Sequence, residues 1–401
     1  MRIALYGIHG LYNYGCEAIV RGAYQLFASA FPDSEITYYS YHPQEDALQI
    51  SDIPVAVKPI KTNDSVLRRG VNKVLKTMNI DTRLPRFDYS GIVDSNDLVV
   101  SIGGDIYTIP EHIRSQKVYG HYSPLVQFGD YVKRRGKKLI IYGASIGPFG
   151  KDGKAVAYYK KHLQSVDCII AREHECVDYL KRIGVKDNVI FMPDPIFAIP
   201  YREQHIDKED AIAINLSPLS AREIMGTAEG TERSMASLIT RLYQATKCEL
   251  VLVPHVFSSD SRDNDYEYLE NVIAYLDEVT RNHVRLTKPE SLFDASAILA
   301  KCKVAVAARM HCALNAAMSG TLPLFLAYSS KAEGMAELVY CDRNWVVPLK
   351  SVEMIEDRVK ALLSNLDVIG DVMTSNVQKY RKGYTSGECS TQLKAAFSQD
   401  G

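Results

Sequence analysis

Short apolar runs rich in β-branched residues alternate with longer segments of helical periodicity along most of the chain. In the first half, residues 3–6, 35–39, 98–102, 138–142, 168–171 and 189–191 read as strands. Between them, residues 17–31 put Ile19, Ala23, Leu26, Phe27 and Ala30 on one helical face. Residues 123–135 and 173–183 show the same spacing. The pattern breaks near Pro193, Pro195 and Pro200, which precede the polar run Arg202-Glu203-Gln204-His205; this stretch reads as a linker. Alternation then resumes, with strands predicted at 211–216, 250–253, 284–286, 304–308 and 322–326. Helices are predicted at 233–246, 265–282, 291–301, 312–319, 334–339 and 353–364. Residues 60–90 are less regular, although Leu67, Val71, Val74, Leu75 and Met78 predict an inserted helix. Strand–helix alternation of this kind implies mostly parallel sheets covered by helices on both faces. The expected organisation is one α/β domain over 1–200, a second over 205–370, and C-terminal helices over 371–401 that cross back to the first.

A length of 401 residues suits two domains rather than one. With 46% hydrophobic and 24% charged residues the chain is of ordinary globular composition, and its formal net charge is −1. That balance argues against broad nucleic-acid binding, which needs clustered Lys and Arg. The longest apolar region, 304–328, is interrupted by Arg309, His311 and Asn315, so it does not read as a membrane span. The chain opens on a strand-like segment, without the features of a signal peptide. Eight cysteines lack CxxC or zinc-like spacing, which points to reduced thiols and a cytoplasmic location. No His/Asp/Glu set has metal-ligand spacing, so no metal is expected. Peripheral contact with a membrane, like oligomeric state, would leave no trace in these features.

In doubly wound sheets, ligands bind at the carboxyl ends of strands, where loops lead into helix N-termini. Six such loops carry candidate chemistry. The first, Gly7 to Glu17, contains Asn13 and Glu17 and opens a long helix; its spacing is not that of a dinucleotide fingerprint. The second is Gly103-Gly104-Asp105 and the third is Ser145-Ile146-Gly147-Pro148. In the fourth, Arg172 ends a strand and could fork a carboxylate or phosphate, or pair with a nearby acid. The fifth puts Arg309 and His311 where an apolar strand runs into a helix. A fixed cation, a titratable imidazole and helix N–H groups can converge there on one anion. The sixth adds Ser329 and Lys331 after the next strand. Together Arg172, Arg309, His311 and Lys331 suggest a cationic cluster for a small, highly charged donor.

The ordered set of motifs resembles the polysaccharide pyruvyl transferases. The matching stretches are Asn13-Tyr14-Gly15-Cys16-Glu17-Ala18-Ile19, Ser101-Ile102-Gly103-Gly104, Ser145-Ile146-Gly147-Pro148 and Ala171-Arg172-Glu173. Tyr179-Leu180, Gly184-Val185, Asp194-Pro195, Arg309-Met310-His311, and Lys331 with Gly334 continue the series. The resemblance implies two Rossmann-like domains facing a cleft, as in glycosyltransferase-B proteins. It implies phosphoenolpyruvate as co-substrate, with no other cofactor, and a sugar acceptor that can be nucleotide-linked, lipid-linked or polymeric. It places the activity in polysaccharide biosynthesis, for a capsule, exopolysaccharide or cell wall. It further implies that Arg172, Arg309 and His311 contact the donor, with Lys331 and Ser329 nearby. Asn13, Glu17, Gly103, Gly104 and Asp105 then fall to the acceptor. Where members often carry Asp after the glycine of the first loop, this chain has Cys16. The chemistry needs an acid near neutrality, for which His311 is the candidate. The rival reading is a glycosyltransferase of the same fold using a nucleotide sugar, with Glu333 nearest the position of a ribose-binding acid.

Overall fold

The computed structural model describes residues 1–398 apart from 64, 79, 202–205, 226–229 and 328–330. Two compact units emerge. One comprises Met1–Leu11, Ile19–Ala198 and Gly383–Gly401; the other comprises Tyr12–Ala18 and Ile199–Lys382.

The first unit is built on seven strands: β1 (Arg2–Tyr6), β2 (Glu35–Ser40), β3 (Ala56–Pro59), β4 (Leu98–Ile102), β5 (Lys138–Tyr142), β6 (Cys168–Ala171) and β7 (Val189–Phe191). They form one parallel sheet in the order β3-β2-β1-β4-β5-β6-β7. The second unit carries β8 (Ala211–Asn215), β9 (Glu249–Leu252), β10 (Val284–Leu286), β11 (Val304–Ala307), β12 (Leu322–Ala327) and β13 (Val346–Pro348). Its sheet is also parallel, in the order β10-β9-β8-β11-β12-β13. Each is a doubly wound Rossmann-type sheet, so the α/β reading of the sequence holds in both units. Central strands are buried along their whole length, as in β4 and β11. Parallel strands covered on both faces must read as continuous apolar runs, which is why the sequence reveals them.

Two strands escaped the sequence reading, β3 and β13. Each lies at a sheet edge with one neighbour; β3 is largely exposed and β13 buries only Val347. The helix predicted over 265–282 is in fact two, Asp265–Ile273 and Glu278–Arg281, the second capped by the Asp277 side chain on the Thr280 N–H. The first-unit assignment expected for all of 1–200 is interrupted at Tyr12–Ala18, because this segment pairs its backbone with residues of the second unit: Tyr14 N–H donates to His255 O (3.1 Å) and Phe257 N–H to Tyr12 O (2.9 Å). Gly383–Gly401 belong to the first unit, where the Tyr384 hydroxyl donates to Pro193 O (2.6 Å) and Leu393 is wholly buried.

Residues 60–88 form a closed excursion from the first sheet. Its base is pinned by Asn63 N–H to Arg86 O and Asp88 N–H to Lys61 O, and it carries the Val66–Thr77 helix.

Candidate active site

Strand order reverses between β1 and β4 in the first unit and between β8 and β11 in the second. Such reversals open a crevice at the carboxyl ends of the strands, and each one here carries a polar constellation.

In the second unit, β11 leads through Ala308 and Arg309 into the Met310–Met318 helix, with Arg309 at the N-cap in an extended conformation. The Arg309 N–H donates to Asn215 Oδ1 (2.9 Å) at the end of β8. Asn215 Nδ2 donates onward to Val253 O (2.9 Å) and Asp265 Oδ2 (3.3 Å). One buried amide thus ties together the outlets of three strands. The Arg309 guanidinium is clamped by two carboxylates: Nη2 donates to Asp263 Oδ1 (2.6 Å) and Asp265 Oδ1 (2.8 Å), and Nε to Asp265 Oδ1 (3.1 Å). Nη1 donates in no hydrogen bond among the described residues. Burial works against the arginine's charge, but Asp265 and Asp263 outweigh it and hold the pKa above the ordinary value. Burial pushes the Asp265 carboxyl upward, opposed by Arg309 and the His255 N–H. The result is a permanent cation in one fixed orientation.

His311 is the second residue of the same helix, and its ring rests against Gly15. A Cβ at position 15 would stand 2.9 Å from both Cγ and Nδ1 of that ring. Close packing of helix N-terminus on helix N-terminus is therefore possible only because residue 15 has no side chain. Beside it, Asn13 Oδ1 accepts from Gly15 N–H (2.9 Å), so Asn13 caps the Tyr14–Ala30 helix. Glu17 is wholly buried and accepts from Leu292 N–H (3.0 Å), at the start of the Leu292–Ala300 helix.

His255 completes this group and was not among the residues singled out in the sequence. It is 1% exposed and accepts the Tyr14 N–H through its carbonyl. Its own N–H donates to Asp265 Oδ2 (3.2 Å). Burial, then the neighbouring His311 and Arg309, hold its pKa well below the usual histidine range, so it is neutral at pH 7. The signal that could have found it is its place just past the apolar run 250–253, another strand end. Asp265 was the first residue of a predicted helix and Asp263 lay just before it, and neither was singled out.

In the first unit, the loop after β4 needs Gly103 at φ +154°, where a Cβ would stand 2.8 Å from Ile106. Gly104 O accepts from Ser145 N–H (2.9 Å), joining the second and third loops; Asp105 is exposed beside them. Arg172 does not present itself as expected. It is 1% exposed, with Nη1 donating to Asp194 Oδ2 (2.8 Å), Nη2 to Ser145 Oγ (3.0 Å), and Glu173 Oε1 lying 3.4 Å from Nε. A buried guanidinium between two buried acids finds its counter-charges inside the protein, so here it braces the loops after β5 and β6. These are the nearby acids that the sequence allowed as its partners.

Of the four cations expected to act together, Arg309 and His311 share the reversal point of the second unit, and Arg172 belongs to the first. Ser329 lies outside the described residues, as does the Lys331 side chain; Lys331 opens the Lys331–Tyr340 helix.

A sequence profile of the polysaccharide pyruvyl transferase family matches residues 13–330. The chain belongs to that family. It is an enzyme, a pyruvyltransferase of polysaccharide biosynthesis. No curated protein matches the sequence. Among solved structures, Anabaena HepE in complex with UDP and glucose is similar, at 11% identity and a TM-score of 0.59, covering 99% of each chain. Sucrose-phosphate synthase from Thermosynechococcus elongatus is 11% identical, with a TM-score of 0.57 over 100% of this chain and 98% of that one. UDP-GlcNAc 2-epimerase from Neisseria meningitidis, bound to UDP-GlcNAc, is 11% identical, with a TM-score of 0.56 over 99% of both. These likenesses establish the glycosyltransferase-B fold for this pyruvyltransferase.

Proposed function

We propose that the enzyme transfers pyruvate from phosphoenolpyruvate onto two hydroxyls of a sugar, in a polysaccharide or its precursor, giving a cyclic ketal and phosphate. The observation that carries this reading is the Arg309–His311 turn at the strand-order reversal. There, a clamped guanidinium, a half-buried imidazole and a helix N-terminus meet.

The reaction forms two C–O bonds at C2 of the donor and breaks its bond to the phosphate oxygen. One hydroxyl proton is balanced by the proton added to the methylene carbon, and the other leaves with phosphate. His311 supplies the proton to carbon as general acid. Arg309, fixed on one edge by Asp263 and Asp265, offers its remaining edge to the donor's carboxylate or phosphate. Lys331 and Ser329, which follow β12 in the sequence, are assigned to the phosphate. Asn13 and Glu17 hold the first loop in place, while Gly103, Gly104 and the exposed Asp105 are assigned to the acceptor.

The test is phosphate release from phosphoenolpyruvate with galactose-, mannose- and glucose-containing acceptors, nucleotide- or lipid-linked. Acceptor-dependent release should fall by about 10²–10⁴ in His311→Gln with donor binding retained. Near-normal kcat in that variant would remove His311 from the acid role. No release with any acceptor, together with thermal stabilisation by a UDP-sugar, would favour a nucleotide-sugar glycosyltransferase instead.

A further inference from the structure

The Val66–Thr77 helix inverts the usual logic of a surface helix. Its inward anchor is polar: Asn72 is buried, with Nδ2 donating to Leu84 O (3.0 Å) and Oδ1 accepting from Leu84 N–H (2.7 Å). Arg68 Nη1 adds a bond to Pro85 O (2.9 Å). The returning segment is held to the body by Gln127, which accepts from Arg83 N–H and donates to Arg83 O, both at 2.8 Å. Phe87 then packs on Tyr89 and Phe128. The apolar side chains face outward instead. Leu67 is 78% exposed, Val74 57% and Met78 64%, and with Val71 they recur every three or four residues as one stripe. Ile80 and Leu84 extend the patch, so that 7 of the 17 large apolar side chains exposed among the described residues fall between 66 and 84. A concentration of this kind marks an interaction surface rather than scattered exposure.

Charge identifies the partner. The helix itself carries Arg68, Arg69, Lys73 and Lys76 and no acid. Over residues 61–86 there are seven Lys or Arg (61, 68, 69, 73, 76, 83, 86) against Asp64 and Asp81, a net charge of +5 in a chain whose total is −1. Arg69, Lys73 and Lys76 occupy the helix face away from the apolar stripe. An apolar stripe backed by a basic face is the form of a helix that lies in the interface of an anionic bilayer. A second copy docking face to face would bring +5 against +5, which disfavours self-association. No helix among the described residues is long and apolar enough to cross a membrane, so such contact would be peripheral. We propose that the Val66–Thr77 helix docks the enzyme on anionic lipid, with Leu67, Val71, Val74 and Met78 in the acyl boundary and the cations drawn to the headgroups.

Cosedimentation of the full chain with vesicles tests this. Binding is expected to phosphatidylcholine vesicles containing about one third phosphatidylglycerol, and to be at least about tenfold weaker to phosphatidylcholine alone. Leu67→Gln/Val74→Gln/Met78→Gln and Arg69→Gln/Lys73→Gln/Lys76→Gln should each lose about tenfold or more while keeping the parental thermal midpoint, since every altered side chain is exposed. No binding to anionic vesicles at low salt would overturn the proposal. So would undiminished binding by the apolar variant, or a concentration-dependent dimer that the apolar variant disrupts.

Discussion

Arg309 and Arg172 are the same residue type at equivalent places, each just past a strand, yet their surroundings set different uses. Arg309 has carboxylates on one edge only; Arg172 is enclosed by Asp194, Glu173 and Ser145. Removing Arg172 strands two buried carboxylates, so Arg172→Ala should cost about 3–5 kcal/mol of stability. Denaturant unfolding would read this; a variant that stays stable but no longer responds to phosphoenolpyruvate would instead make Arg172 a ligand contact. His255 gives a pH signature. Its folded pKa is depressed by burial, while the unfolded value is near 6.5. Above pH 6.5 both states are neutral; below it the unfolded chain binds a proton that the native one refuses, so stability falls with pH. As pH falls from 7.5 to 5.5 this one group should therefore lower stability. His255→Gln should therefore show a flatter pH dependence of unfolding than the parent; identical slopes would refute the assignment.

At the scale of elements, buried parallel strands were legible because they must be apolar throughout, and helices because their faces are not. The edge strands β3 and β13 were illegible for the converse reason: half of their surroundings is water. The same limit applied to the site. Arg309 and His311 could be found because charged residues interrupt an apolar run, whereas Asp263, Asp265 and His255 come from polar stretches whose convergence only the chain path reveals. Helix packing also sets a backbone demand the sequence hides. Gly22, inside the Tyr14–Ala30 helix, has no room for a side chain, since a Cβ would stand 2.1 Å from Pro195 O. Gly to Ala in a helix interior normally stabilises by about 1 kcal/mol. Here the sign should reverse, and Gly22→Ala should destabilise by about 1–3 kcal/mol in a denaturant melt. A gain in stability would show that the turn at Pro195–Ala198 yields easily.

At the scale of the whole molecule, the first unit is discontinuous in the chain. Tyr384 bridges Pro193 O (2.6 Å) and the Tyr142 hydroxyl (3.1 Å), Leu393 is wholly buried, and Phe397 meets Phe31. Deleting residues 383–401 should therefore strip amide-exchange protection from β5 and from residues 191–197, while β11 and the Met310–Met318 helix keep theirs. Equal loss in both units would mean that the tail serves more than the first.

This discontinuity sets a timetable on the ribosome. All seven strands of the first sheet emerge before residue 192, but the segment that covers Tyr142 and Pro193 emerges only after Ile199–Lys382 has been made. At about 5–20 residues per second, those roughly 180 residues take some ten to forty seconds to translate. For that interval the nascent first unit presents an uncovered apolar face, the kind of surface that chaperones hold.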